Sequence, residues 1–141
     1  MSPRLKNFLW VIVVIIAFTI FTSVRGDTGM NLNFGEDALD VLGPEGFSFS
    51  IEYDEIKNVT LLDPIETGTQ ISGNKNRRFQ WGLFENELLG QYTLCISKKI
   101  DNAVLISMQD GSLYAFNFES EETTEALIKL FNDLLAERKA G

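Results

Sequence analysis

The chain contains no histidine and a single cysteine, Cys95, in 141 residues. Without histidine it lacks the most used general base and the commonest metal ligand. A lone thiol forms no internal disulfide and no cysteine-based zinc cage. Cations are scarce as well. Twelve Lys and Arg stand against twenty Asp and Glu, a formal net charge of −8. Three of the cations, Arg4, Lys6 and Arg25, and none of the acids precede Asp27, so the remainder carries nine cations and twenty acids, a net of −11. A body of that sign is poorly suited to nucleic acid, where binding rests on neutralising phosphates, and to lying flat on anionic lipid. No nucleic-acid partner is expected. Nor does the sequence contain a phosphate loop, a metal-ligand spacing or a nucleophile paired with a base. The chain therefore reads as a non-enzyme, with no catalytic residue, cofactor or metal ligand expected.

Long apolar runs are absent from the body but not from the start. Residues 8–24 of "NFLWVIVVIIAFTIFTSVRG" carry no charge. At 1.5 Å per residue they span about 25 Å, the short end for a bilayer core. Phe8 and Val24 bound the run, and Trp10 lies near one end, where an amphipathic ring suits the interface. Leu5 can lengthen it if Lys6 reaches to the headgroups. A cleaved signal peptide is the competing reading, yet "TSVRG" offers no clean small-x-small site. A buried core helix fits a uniformly apolar run at the terminus poorly. Arg4 and Lys6 before the run, against Arg25 after it, place the amino terminus in the cytoplasm and the body on the extracytoplasmic face, by a margin of one residue. The expected organisation is a single-pass membrane anchor with a basic flank over 1–26, a linker over 27–31 and one domain over 32–141.

In that domain, alternating segments recur between turn signals. They fall at 30–34, 38–42, 47–52, 58–62, 91–98, 104–108 and 113–118, about seven strands joined mainly by short antiparallel turns. In "FSFSIEYDEIKNVTLL" the alternation of Phe47, Phe49 and Ile51 pauses over an acidic stretch and resumes at Val59. The pause predicts a solvated bend anchored in the core by Ile56. From Ser120 onward the pattern changes to helical: Leu127, Leu130, Phe131, Leu134 and Leu135 share a stripe, Ser120 is a candidate N-cap, and Arg138 and Lys139 sit at the negative end of the dipole.

"FSIEYDEIKNVTLL" resembles the strand–bend–strand signature of bacterial pleckstrin-homology-like domains. "NAVLISMQDGSLYAFNFESEETTEALIKLF" is similar to the end of the same domain: a strand, an Asp-Gly hairpin, an aromatic strand and a helix. The likeness covers about residues 32–135. It implies a mainly β fold with a C-terminal α-helix, a partly open barrel of about seven antiparallel strands in two near-orthogonal sheets, capped by the helix. It also implies a binding or scaffolding module tethered to the membrane, whose partner is a protein or a second copy of itself. Members of the wider class that bind phosphoinositides use cations around the first hairpin. Here "NFGEDALD" offers Glu36, Asp37 and Asp40 and no cation, so no phosphoinositide binding is expected. The clustered cations are Lys75, Arg77 and Arg78, in a connection from 63 to 90 that is long enough to carry function, with one short extra strand expected near 81–84. Phe79 and Trp81 beside them could stack on a partner or ligand; the competing reading is a loop tucked over the barrel by these aromatics, with the Lys and Arg solvated. This loop, or the barrel mouth, is the alternative site for a lipid or small molecule. Lys98 and Lys99 read as part of a plain turn.

Overall fold

The computed structural model describes residues 29–140. The expected anchor over 1–26 lies outside the described residues. Among the described residues no helix is long and apolar enough to cross a membrane.

The body is two β-sheets and one helix. Strands β1 (Asn31–Phe34), β2 (Ala38–Leu42) and β3 (Ser48–Glu52) form a three-stranded antiparallel meander. A 3-10 turn, Tyr53–Glu55, then bends the chain out of this sheet and into β4 (Ile56–Leu62). The expected anchor of the bend is in place, since Ile56 is buried. Tyr53 is buried beside it, with its hydroxyl donating to the Gly35 carbonyl at 2.9 Å. The apolar tether is thus two side chains, one of which the alternation does not mark.

The second sheet has six strands in the order β4-β8-β9-β7-β6-β5, with β5 (Thr69–Lys75), β6 (Phe79–Asn86), β7 (Gly90–Ser97), β8 (Ala103–Met108) and β9 (Leu113–Phe116). Among the described residues nine strands therefore replace the expected seven, β7 and β9 run parallel, and the sheets do not close into a barrel. The additional strands come from the 63–90 connection, most of which is the β5–β6 hairpin rather than one short strand. β5 is exposed at all seven positions, so neither face imposes an apolar alternation to be read. Gly73 and Gly82 pair across this hairpin with φ of 98° and 126°, and a Cβ on Gly82 would stand 2.3 Å from the Ser72 carbonyl oxygen. The two backbones approach that closely because neither residue has a side chain.

The centre of the large sheet is buried on both faces, which explains the near-continuous apolar run of β8. Its inner face supplies Trp81, Cys95, Val104, Ile106 and Phe116 to the main core, with Leu39, Val41 and Ile51 from the small sheet. Its outer face carries Phe84, Tyr92, Leu94, Ile96 and Leu105. Strands β4 and β5 lie at opposite edges, so residues 63–68 cross that outer face as a strap. Ile65 packs from the strap onto the outer cluster. Three hydrogen bonds hold it: Ile65 N–H to the Asp101 carbonyl (2.9 Å), Asn86 Nδ2 to the Glu66 carbonyl (2.7 Å) and the Tyr92 hydroxyl to the Thr67 carbonyl (2.6 Å). The Asp63–Pro64 peptide in the strap is cis.

Because β9 is inserted between β7 and β8, the connection 98–102 must bridge a gap one strand wide. Asn117, fully buried, fills the end of that gap. Its Oδ1 accepts from Ser97 N–H at 2.8 Å, and its Nδ2 faces the carbonyls of Ser97, Ile100 and Asn102 at 3.2–3.3 Å. One side-chain amide thereby continues the sheet ladder where no strand remains.

Helix α1 (Glu121–Ala140) closes the main core. Ser120 Oγ accepts from Thr123 N–H at 3.0 Å, as expected of an N-cap. Leu127, Leu130, Phe131 and Leu134 are buried, with Leu135 partly so. The helix packs on β4, β8 and the 3-10 turn at Tyr53–Glu55.

Candidate functional site

The expected basic cluster is the tip of the β5–β6 hairpin. Asn76 builds the turn: its Oδ1 accepts from the N–H groups of Arg78 and Phe79, both at 2.8 Å, and its own N–H donates to the Phe79 carbonyl at 2.9 Å. Lys75, Arg77 and Arg78 are exposed there. Phe79 and Trp81 are not on this surface. They are 6% and 4% exposed and belong to the main core, so of the two readings the stacking on a ligand is corrected and the aromatics tuck inward. The cause is strand phase. From Phe79 onward the chain is β6, and Phe79 and Trp81, two residues apart, both point inward. The Arg78 guanidinium lies over the Phe79 ring, 5.2 Å from its centroid.

Lys98 and Lys99, read from the sequence as a plain turn, belong to the same patch. The β6–β7 register runs from Asn86↔Gly90 to Phe79↔Ser97, which brings residues 98–99 beside the hairpin tip. The Lys98 N–H donates to the Arg78 carbonyl at 2.8 Å. Counting outward from the turn at 86–90 reveals this, once that turn is taken as a hairpin. Five of the nine cations after Asp27 thus gather at one end of the large sheet. A cavity of about 20 Å³ opens between Arg78 and Lys99, lined also by Met30, Phe79, Asn117 and Glu119. That is room for about one water.

The first hairpin differs from its sequence reading in one respect. Glu36, Asp37 and Asp40 are there, but the fold brings a cation to them. Arg138, from the far end of α1, pairs with Asp54 through Nε and Nη2 at 2.8 and 2.9 Å. It also reaches Asp37 Oδ1 at 3.4 Å and the Glu36 carbonyl at 3.2 Å, and it lies over the Tyr53 ring. Its hydrogen bond holds the Asp54 carboxyl below the ordinary carboxylate range. The guanidinium is already engaged by carboxylates, and Asp40 accepts from the Ser50 hydroxyl. The acidic pause in "EYDEIKN" therefore has a purpose beyond solvation: Asp54 docks the helix end.

A third feature is aromatic. Phe47 and Phe49 on the β3 side and Tyr114 on β9 are half-buried at the rim of the main core. The Phe49 and Tyr114 rings stack at 5.0 Å, and Phe47 meets Phe49 edge-on at 6.0 Å. β3 is the last strand in its sheet order. Cys95 is buried, and burial pushes its thiol up to about 12, which leaves it without nucleophilic character at neutral pH. Among the described residues no group of three His, Cys, Asp or Glu side chains is placed to hold a metal ion.

Compared with protein-family models, curated proteins and solved structures, the chain matches none.

Proposed function

We propose that the chain is a single-pass membrane protein whose body is a bacterial pleckstrin-homology-like module, binding a protein partner or a second copy of itself without catalysis. The observation that carries this reading is the contrast between a filled interior and an open aromatic rim. Both faces of the large sheet are packed with side chains at its centre. Phe47, Phe49 and Tyr114 nonetheless stay half-exposed beside an edge strand. Aromatic side chains are enriched at protein interfaces, and a free strand edge can pair with a partner's backbone. The order of elements also supports the family reading: strand, bend with Ile56 in the core, strand, Asp-Gly hairpin, aromatic strand and helix. A tether raises the effective concentration of nearby membrane partners, so a weak rim contact suffices.

The alternative, a lipid or small-molecule binder at the barrel mouth or the loop from Lys75 to Trp81, has less behind it. The sheets leave no closed barrel, and a ligand at the hairpin tip would meet cations without the buried Phe79 and Trp81. The test is photo-crosslinking of the full-length chain in intact membranes. A crosslinker replacing Phe47 or Phe49, the half-buried aromatics of the rim, should yield a discrete protein adduct that survives in the carbonate-washed membrane fraction. The same group at Ser72 on β5 should not. Adducts from Ser72 alone would overturn the choice of rim, and loss of the chain to the carbonate wash would overturn the anchor.

A further inference from the structure

The first described residues lie at the basic end of the body. Gly29 sits so close to Phe79 that a Cβ there would come 1.8 Å from the ring, and Met30 lines the same cavity as Arg78 and Lys99. Residues 25–28 alone separate this point from Val24, the last residue of the apolar run. Even fully extended, that connection reaches about 17 Å. If residues 8–24 span the bilayer, the five-cation end cannot lie far from the headgroups.

The net charge of the whole body disfavours anionic lipid, but charge acts locally. At physiological salt the screening length is about 8 Å. The opposite end of β6, with Glu85 and Glu87, is about 24 Å from the hairpin tip at the rise of an extended strand, about three screening lengths away. Of the other cations after Asp27, Lys57, Lys129, Arg138 and Lys139 are not on the tip or the turn at 98–99. Acids also stand by the patch: Glu119 lines the same cavity, Asp101 follows in the 98–102 connection, and Asp27 precedes Gly29 in sequence.

We propose that this end is the membrane-facing surface of the body: Lys75, Arg77, Arg78, Lys98 and Lys99 rest on the anionic headgroups of the bilayer that holds the apolar run. Juxtamembrane cations are drawn to such a surface and lose that attraction beyond a screening length. The contact fixes how the body stands on the membrane and turns the opposite end of β6 away from it. This inference rests on the anchor reading given above.

The test uses the full-length chain in nanodiscs of phosphatidylcholine with or without phosphatidylglycerol. Cys95 is buried, so a single introduced cysteine takes a donor dye selectively. One protein carries it at Asn74→Cys beside the tip, another at Leu88→Cys, whose native side chain is 80% exposed at the far end. The acceptor is on lipid headgroups. With phosphatidylglycerol, the offset of about 24 Å should make transfer from position 74 roughly twofold or more above that from position 88. The gap should narrow to what the short connection alone imposes in pure phosphatidylcholine, in molar salt, and in the combined Arg77→Glu, Arg78→Glu, Lys98→Glu, Lys99→Glu variant. A Gln series at the same four positions, intermediate in effect, guards against misfolding of the reversed variant. Equal transfer from both positions in every lipid, or a gap insensitive to phosphatidylglycerol, overturns the proposal while leaving the anchor standing. A chain that does not purify with the discs overturns the anchor, and the proposal with it.

Discussion

Replacing Asn117 by Leu conserves volume and removes every polar contact at the gap between β7 and β8. Ser97 N–H loses its acceptor at 2.8 Å, and the carbonyls of Ser97, Ile100 and Asn102 lose a shared donor. An amide nitrogen has two hydrogens, and the Ser97 carbonyl also accepts from Ile100 N–H at 3.3 Å, so two carbonyls, those of Ile100 and Asn102, are counted as depending on it. Three buried backbone groups are therefore stranded, at about 1–2 kcal/mol each, a total of about 3–6 kcal/mol. That is comparable to the lower end of a domain's whole stability, about 5–15 kcal/mol. Asn117→Asp separates shape from hydrogen bonding. It keeps the acceptor for Ser97 N–H but sets an oxygen against three carbonyls, so the new carboxyl holds a proton more tightly folded than unfolded. The folded state then binds more protons, and stability falls as pH rises from the unfolded carboxyl value through the raised folded one. Asp54, held low by Arg138, has the opposite sign: its contribution is present above the unfolded carboxyl value and is lost as pH falls. The assay is urea unfolding of a fragment beginning at Asp27, followed through Trp81, its one tryptophan. Acid should bring the Asn117→Asp variant closer to the parent. An Asn117→Leu variant within about 1 kcal/mol of the parent, or an Asn117→Asp variant with the parent's pH profile, would refute the role given to this amide.

Ile56→Ala should cost about 2–5 kcal/mol, while Glu55→Ala, at an exposed side chain, should stay within about 0.5 kcal/mol in the same melts. Gly82→Ala should destabilise more than Gly46→Ala: both positions have positive φ, but a Cβ at 82 meets the Ser72 carbonyl whereas at 46 nothing lies within 4 Å; equal urea midpoints would contradict the close approach. Burial pushes Tyr53, Tyr92 and Cys95 each up to about 12, so the unfolded chain releases these protons first and the urea midpoint should fall as pH climbs above about 9; a midpoint flat to about pH 10.5, well past the onset expected for a free thiol, would count against the burial of all three. Truncation before Glu121 removes Leu127, Leu130, Phe131 and Leu134, each contributing about 1.5–3 kcal/mol of transfer free energy, and the remaining body should show no cooperative melt.

Local features are legible in the sequence because a local pattern encodes them. Alternation at β1 to β3 reports that one face of each strand is covered, and the near-continuous apolar run of β8 that both of its faces are. The 3.6-residue stripe from Leu127 to Leu134 reports one covered face for α1, and Ser120 and the Asp-Gly turn mark ends by their own hydrogen bonds, with Asp110 Oδ1 accepting from Ser112 N–H at 2.8 Å. Ile56 stands out as an apolar residue in a polar bend. What the pattern does not encode is which surface does the covering. Strand β5 leaves no trace in the pattern because nothing covers it. Phe79 and Trp81 read either as stacking or as tucked aromatics because their cover comes from the small sheet and the start of the chain, which the local pattern does not show. The strap at 63–68, the insertion of β9 beside β7 and the amide plug of Asn117 follow from sheet order, a choice among many pairings that no short stretch decides. The same holds for charge: Arg138 meets Asp54 across 84 residues, and the separation of Lys98 and Lys99 from Arg77 and Arg78 disappears only when β6 and β7 pair. Composition set the amount of charge in the body and its sign; long-range pairing set where the cations stand, because a field screened within about 8 Å depends on neighbours in space and not in sequence.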